Sequence, residues 1–153
     1  YNPYYPIYFV FLYMITIEAL KSWLRIDFND DDLTLQTCLD TAKEVIEEYT
    51  SHSLHAHTFE VESYGCDIKL YDYPITDIVA DDEFKRYNKP DSILLSAPFG
   101  TKFVISVGVS DKKQLHSAVY QLASYYYENR EPDHVRLPTS IQVTVNQLRR
   151  GLI

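Results

Sequence analysis

The 153-residue sequence has little of what marks several large functional classes. It contains only two cysteines, Cys38 and Cys66, and they form no CxxC pair of the kind that binds zinc. We expect both to be buried free thiols of a reducing compartment. Basic residues number 14 against 22 acidic ones, for a net charge of −8, and no Lys/Arg-rich stretch is present. This balance argues against tight binding to nucleic acid phosphates.

Long hydrophobic runs are also missing. Residues 1–13 carry no charge, and the apolar run continues only to Ile17, short of the roughly 20 residues of a transmembrane helix. We predict a non-core extension over residues 1–13, either a translation artefact before an initiator Met14 or an arm that docks on a neighbouring chain. Residues 14–153 are predicted to form a single domain. Membrane anchoring through residues 1–17 is a separate alternative.

No sequence motif of catalysis or cofactor binding is found. The chain lacks a P-loop, a GxGxxG, a nucleophile elbow and an HExxH. We therefore predict no catalytic residue, no cofactor and no enzymatic activity. A small enzyme whose acid/base pair forms only in space is an alternative, because such a pair leaves no spacing signature.

Two polar clusters resemble metal sites without meeting their requirements. Asp27, Asn29 and Asp31 imitate the start of an EF-hand loop, but the positions that need Gly and a bidentate Glu hold Asp32 and Cys38. The three histidines between the second helix and the first strand lack a fourth zinc ligand, so we expect a solvated loop: His52, His55 and His57. No metal site is predicted.

What the sequence does have is tyrosine, with fourteen residues. A tyrosine combines an apolar ring with a polar hydroxyl, so a tyrosine-rich small protein often uses some of them at interfaces. We expect most of them at the edges of the core.

Apolar spacing predicts helices at both ends of the chain. A short helix begins at Thr16 and ends near Arg25, and the acidic run from Asp27 to Asp32 forms a turn and the start of a second helix. That helix ends at the polar stretch 50–53, and its apolar stripe is unbroken: Leu35, Cys38, Leu39, Ala42, Val45, Ile46 and Tyr49. Ser110 caps a third helix that Pro132 stops, and Pro138 opens a last segment, predicted as a helix.

Residues 57–107 have a different pattern, with short alternating segments separated by Gly and Pro. They predict a small antiparallel sheet with a mobile tip over the charged stretch 81–91. The fold class is therefore α+β and mainly helical, with about four helices packed in one core and an inserted small antiparallel β-sheet.

Three stretches, in this order, resemble the head–tail connector (adaptor) family of tailed-phage neck proteins. The first is the short helix ending in Leu24-Arg25-Ile26-Asp27, followed by acidic residues and a helix with Ala42 and Ile46-Glu47. The second is Val107-Gly108 leading to a helix that ends in Tyr127-Glu128-Asn129-Arg130-Glu131. The third is Leu137-Pro138 opening a segment that closes on Leu148-Arg149-Arg150. Residues 55–104 are similar only in kind.

The resemblance implies a structural virion protein of the phage neck, assembled in the host cytoplasm. Its partners would be further copies in a dodecameric ring, the portal protein above, and a downstream neck or tail-completion protein. Double-stranded DNA would pass through the lumen without specific binding, and no membrane is involved. A stopper or tail-completion protein is the alternative, although those proteins are dominated by strands.

The expected contacts lie near the end of the chain. An amphipathic segment with two adjacent guanidiniums can dock in a partner's groove, which makes Leu148, Arg149, Arg150 and Leu152 the portal-binding candidates. The alternative is that Leu148 packs in its own core and that the arginines are solvated. Tyr125, Tyr126 and Tyr127 are the candidates for contacts between subunits. Glu128, Asn129 and Arg130 are expected to fix the end of the third helix.

Overall fold

The computed structural model describes residues 15–129 and 137–149. This part of the chain contains four helices and six strands: α1 (Ile17–Leu24), α2 (Asp32–Thr50), β1 (His57–Glu62), β2 (Ile68–Leu70), β3 (Ile75–Ala80), β4 (Lys85–Asn88), β5 (Ile93–Ser96), β6 (Lys102–Val107), α3 (Lys113–Glu128) and α4 (Thr139–Asn146). The predicted α+β class is confirmed. All strands lie between His57 and Val107, the limits of the predicted insertion.

The chain divides into two compact units. The helical unit contains α1, α2 as far as Val45, α3, and α4 as far as Val145. The sheet unit contains the end of α2 from Ile46, all six strands, and the segment from Asn146 onward. The single domain over residues 14–153 remains a prediction.

The start of the helical unit follows its sequence closely. Thr16 caps α1 by accepting a hydrogen bond from the Ala19 amide at 3.3 Å, and Arg25 ends the helix in the left-handed region at φ 58°. The acidic turn then meets Lys21, whose Nζ donates to Asn29 at 2.6 Å and to Asp32 at 2.7 Å. The Asp32 carboxylate thus pairs with an ammonium group of the same chain.

The helices bury the apolar stripes that the sequence predicted. In α2, Leu35, Leu39, Ala42 and Ile46 are fully buried. In α3 the buried residues are Leu115, His116, Ala118, Val119, Leu122 and Ala123. Ile141 and Val145 of α4 are buried while Val143 is 60% exposed, which is the pattern of a helix and not of an alternating strand.

The predicted cap of α3 was wrong. The helix begins at Lys113 with Lys112 at the cap position, and no side chain caps it. Ser110 is buried and its hydroxyl lies 3.3 Å from His52 Nδ1, so the residue serves the sheet unit instead. The other end of α3 is as predicted, because the Asn129 amide and its side-chain Nδ2 both donate to the Tyr125 carbonyl. Pro132 and Arg130 lie outside the described residues.

The insertion holds two three-stranded antiparallel sheets where the sequence predicted one. Sheet A has the order β1-β6-β3 and sheet B the order β2-β5-β4. The charged stretch 81–91, predicted as a mobile tip, contains β4, which pairs with β5 from Lys85↔Ser96 to Asn88↔Ile93. One core lies between the sheets, with Leu70 and Leu95 from sheet B and Phe103, Ile105 and Val107 from sheet A. Short strands at regular spacing do not reveal which pairs share a sheet.

The prediction that both cysteines are buried was wrong, because neither is fully buried. Cys38 is half-buried on α2, and burial raises the pKa of its thiol. Cys66 is exposed in the loop between β1 and β2. Neither forms a disulfide.

In the described part of the chain, no helix is long and apolar enough to cross a membrane.

We expect the two thiols to react at different rates. At pH 8, iodoacetamide should modify Cys66 first, because its sulfur is exposed, whereas the raised pKa of Cys38 lowers its thiolate fraction. Peptide mass mapping over time measures both sites in one sample. Equal rates would contradict the burial of Cys38.

Truncation of the sheet core should destabilise the protein strongly. Phe103 is fully buried and its ring contacts Phe84 edge-on at 5.3 Å, so Phe103→Ala should lower the free energy of unfolding by about 3–5 kcal/mol. Phe99→Ala is the matched control, because that side chain is 75% exposed and its loss should cost less than about 1 kcal/mol. Urea unfolding gives both values, and equal losses would refute the assigned core.

Candidate functional site

A buried histidine joins four segments of the sheet unit. His52 is 1% exposed, and its Nε2 lies 3.0 Å from the Leu148 carbonyl oxygen. A carbonyl can only accept, so Nε2 is the donor, which leaves Nδ1 facing the Ser110 hydroxyl at 3.3 Å. The Tyr73 ring packs edge-on against the imidazole at 5.0 Å. The expectation of a solvated histidine loop was therefore wrong for His52.

Backbone hydrogen bonds close the same region, which we call the root of the insertion: residues 51–53, 73–74, 108–110 and 148. Ser53 donates its amide to the Tyr73 carbonyl at 2.7 Å and accepts from the Ser110 amide at 2.7 Å. The Gly108 amide donates to the Pro74 carbonyl at 2.8 Å. A Cβ on Gly108 would lie 2.7 Å from Thr76 Cγ2, so no larger residue fits without displacing that side chain. The chain thus enters and leaves the insertion at one bonded point.

The segment after α4 is fixed to this root. Tyr49 donates its hydroxyl to Asn146 Oδ1 at 2.6 Å, and Leu148 is 8% exposed. The Arg149 guanidinium lies over the Tyr49 ring, 4.8 Å from its centroid, while its side chain is otherwise exposed. Of the portal-binding candidates, Leu148 is therefore buried in its own chain and Arg149 is exposed beside it. Arg150 and Leu152 lie outside the described residues.

The tyrosine candidates lie at the end of α3 and are all half-buried. The rings of Tyr125 and Tyr126 are 6.1 Å apart, and burial raises the pKa of Tyr126. Tyr127 donates its hydroxyl to Asp31 at 2.5 Å, which attaches this turn of α3 to the loop before α2.

The other two histidines lie at the surface next to α2. His55 Nδ1 is 2.8 Å from Glu47 Oε1, and the same oxygen accepts from the Leu54 amide at 2.5 Å. The rings of His55 and His57 are 4.9 Å apart beside a small open cavity of about 240 Å³. No group of three His, Cys, Asp or Glu side chains with metal-binding geometry occurs among residues 15–129 and 137–149.

Sequence spacing could not have found the root. His52 and Leu148 are 96 residues apart, and Ser110 is 58 residues from His52. A lone histidine after a helix is indistinguishable from a loop residue until the fold surrounds it. The single available signal was the combination of polar residues at 50–53 with the apolar Leu148 after α4.

Comparisons with known proteins agree with this architecture. The profile of the phage gp6-like head-tail connector protein family matches residues 14–149. Among solved structures, a chain in the virion of a native gene transfer agent particle is 18% identical, with a TM-score of 0.71 over 90% of each chain. A chain in the neck of an empty particle of this type, computed with C6 symmetry, is 17% identical, with a TM-score of 0.67 over 90% of each chain.

A third structure is the neck of a native gene transfer agent particle computed with C12 symmetry. Its chain is 16% identical, with a TM-score of 0.63, and the match covers 91% of this chain and 93% of that one. No curated protein sequence matches. The fold and the family match define a structural protein of a phage-like particle. The chain belongs to the phage head–tail connector family, and its role is that of a connector or adaptor.

Loss of the His52 side chain should loosen the root. His52→Phe keeps the ring volume but leaves the Leu148 carbonyl and the Ser110 hydroxyl without this partner, which should cost about 2 kcal/mol or more of the free energy of unfolding. His55→Phe is the control, because that side chain is 67% exposed and its replacement should change stability by at most about 0.5 kcal/mol. Urea unfolding of both variants measures this, and equal values would show that the buried contacts do not matter.

Proposed function

We propose that this chain is a ring subunit of a virion neck that docks beneath the portal and joins the head to the tail. The single observation that supports this most is the family match over residues 14–149. The neck structures of similar fold carry six-fold and twelve-fold symmetry, which favours a ring, and we propose a dodecamer. The role requires no catalytic step, since a connector acts by contact alone.

A net charge of −8 in every subunit supports a channel that does not retain DNA. Repeated around a ring, these charges repel the phosphate backbone, so packaged DNA passes without specific binding. Above the ring the partner is the portal, and below it a neck or tail-completion protein. Assembly then takes place in the host cytoplasm before the particle is complete.

A closed ring needs two different complementary faces on each subunit. We propose the half-buried cluster Tyr125, Tyr126 and Tyr127 for part of one such face. Tyr125 and Tyr126 supply ring surface, since large aromatic side chains contribute most at the centre of an interface. Tyr127 contributes indirectly, because its bond to Asp31 holds the last turn of α3 in place.

For the portal contact we propose the end of the chain, with Leu148 as the anchor and Arg149, Arg150 and Leu152 as the binding residues. Leu148 is buried and its carbonyl is bonded to His52, so Arg149 follows directly on a fixed point of the subunit. Arg149 is exposed and oriented by Tyr49. Guanidiniums presented in this way suit carboxylates on a partner.

Reversal of the two charges should prevent docking. Arg149→Glu combined with Arg150→Glu should weaken portal binding by about tenfold or more, because attractive pairs become repulsive. Pull-down with purified cognate portal and negative-stain microscopy measure the effect. Lys113→Glu, an exposed reversal at the start of α3, is the control and should bind like the unchanged chain.

A chain shortened after Leu148 tests the same contact in another way. The shortened chain keeps Leu148, so its thermal unfolding temperature should stay close to that of the full chain. Its binding to the portal should be lost. Full binding by the shortened chain would refute the assignment of the terminal arginines. Failure of the full chain to bind a portal would refute the proposed function itself.

A further inference from the structure

The two sheets of the insertion have outer faces that point away from their shared core. Inward-facing residues of both sheets form one hydrophobic cluster, including Leu95 of sheet B and Phe103 of sheet A. Side chains alternate along a strand, so the residues between these inward positions project to solvent on the opposite sides of the unit. Each outer face can be read from the strand register.

The outer face of sheet A is anionic around an apolar centre. The register aligns Glu60, Val104 and Val79 across the three strands, and both valines are exposed, at 38% for Val104 and 56% for Val79. The next row holds Glu62 opposite Lys102, and the Lys102 amide donates to the Asp81 carboxylate at 2.8 Å. Asp77 lies at the other end of the face. A shallow groove of about 670 Å³ runs along this face.

The outer face of sheet B is cationic around an apolar centre. Here the register aligns Lys69, Leu94 and Tyr87, and Tyr87 is 48% exposed. Lys85 lies two residues before Tyr87 on the same face, opposite Ser96, and Lys89 follows the strand end; both lysines are exposed.

One carboxylate, Asp91, belongs to this cationic region, 3.9 Å from Lys69. The pKa of Asp91 is lowered, first by the hydrogen bond from the Ser92 hydroxyl and further by Lys69 and Lys89, so the group is ionised at neutral pH. Lys69 also lies over the Tyr71 ring, 4.8 Å from its centroid. Within the paired strands the charged residues of this face are Lys69 and Lys85, so the face is positive.

We infer that in the ring the cationic face of sheet B on one subunit docks on the anionic face of sheet A on the next. This inference rests on the proposed ring and names the second copy of the chain as the partner of both faces. In this contact the apolar centres of the two faces lie against each other, with Tyr87 of one subunit on Val79 and Val104 of the next. Around these centres, lysines of sheet B face carboxylates of sheet A. The two faces differ and lie on opposite sides of the unit, which is what a head-to-tail interface requires.

The contact is small by the standards of stable interfaces. Three strands spaced about 4.8 Å apart present far less than the roughly 800 Å² per partner that a stable complex buries. We therefore expect the sheet contact to select and align neighbours, while subunits stay apart in solution and associate on the portal. Because the charges are exposed, the contact should weaken as salt rises.

Exchange of the charges tests the inference. One variant carries Glu60→Lys and Glu62→Lys, so both of its faces are positive, and a second carries Lys85→Glu and Lys89→Glu, so both are negative. Each variant alone should lose portal-bound rings, counted by negative-stain microscopy, because like faces repel. An equal mixture should recover them, because positive and negative subunits can alternate around an even-numbered ring. Thermal unfolding checks that each variant is folded.

The outcomes separate the inference from the proposed function. If the unchanged chain forms no rings on the portal, the function fails. If the unchanged chain forms rings and either variant alone does so equally well, the sheet contact is refuted while the function stands. If both variants lose rings and the mixture does not recover them, the two faces do not meet and the inference is refuted. Recovery only in the mixture supports it, because a folding defect in either variant would persist in the mixture.

Discussion

The sheet unit depends on the hydrogen bonds of one buried imidazole. His52 follows directly on α2, and its two nitrogens meet the Leu148 carbonyl and the Ser110 hydroxyl. Unpaired polar atoms at this depth cost more than the bonds gain, so the surrounding segments must stay together. The segment that leads from α2 into the insertion and the segment that follows α4 are therefore held together by the same hydrogen bonds.

The helices and the sheets of this arrangement contribute differently to the protein. Helices α1 to α4 bury apolar stripes. The sheets instead use alternation to separate a shared core from two charged outer faces. A short strand thus contributes to stability with one side and, in the inferred contact between subunits, to recognition with the other. The root also fixes Leu148, the anchor of the proposed portal contact.

Local sequence patterns predicted most helices and strands correctly, but they did not predict which strands pair with one another. The stripe of α2 and the cap at Thr16 are set by contacts within a few residues, which sequence spacing reports directly. Five of the six strands were expected, but β4 was not, because Lys85-Arg86-Tyr87-Asn88 is exposed throughout and lacks the alternation of a half-buried strand. Ser110 has the residue type and place of a helix cap, yet a bond to a distant histidine decided its role.

Patterns along the chain were enough to predict the α+β class, the order of the helices, the limits of the insertion and, through three ordered stretches, the connector family. These properties depend on neighbours along the chain or on motifs that remain in order. The folded chain was needed to show that His52 and Leu148 are buried, that Cys66 is exposed, and that the insertion forms two sheets with outer faces of opposite charge. The physical reason is that burial and strand pairing depend on residues far apart in the chain, and local spacing carries no information about which of them meet.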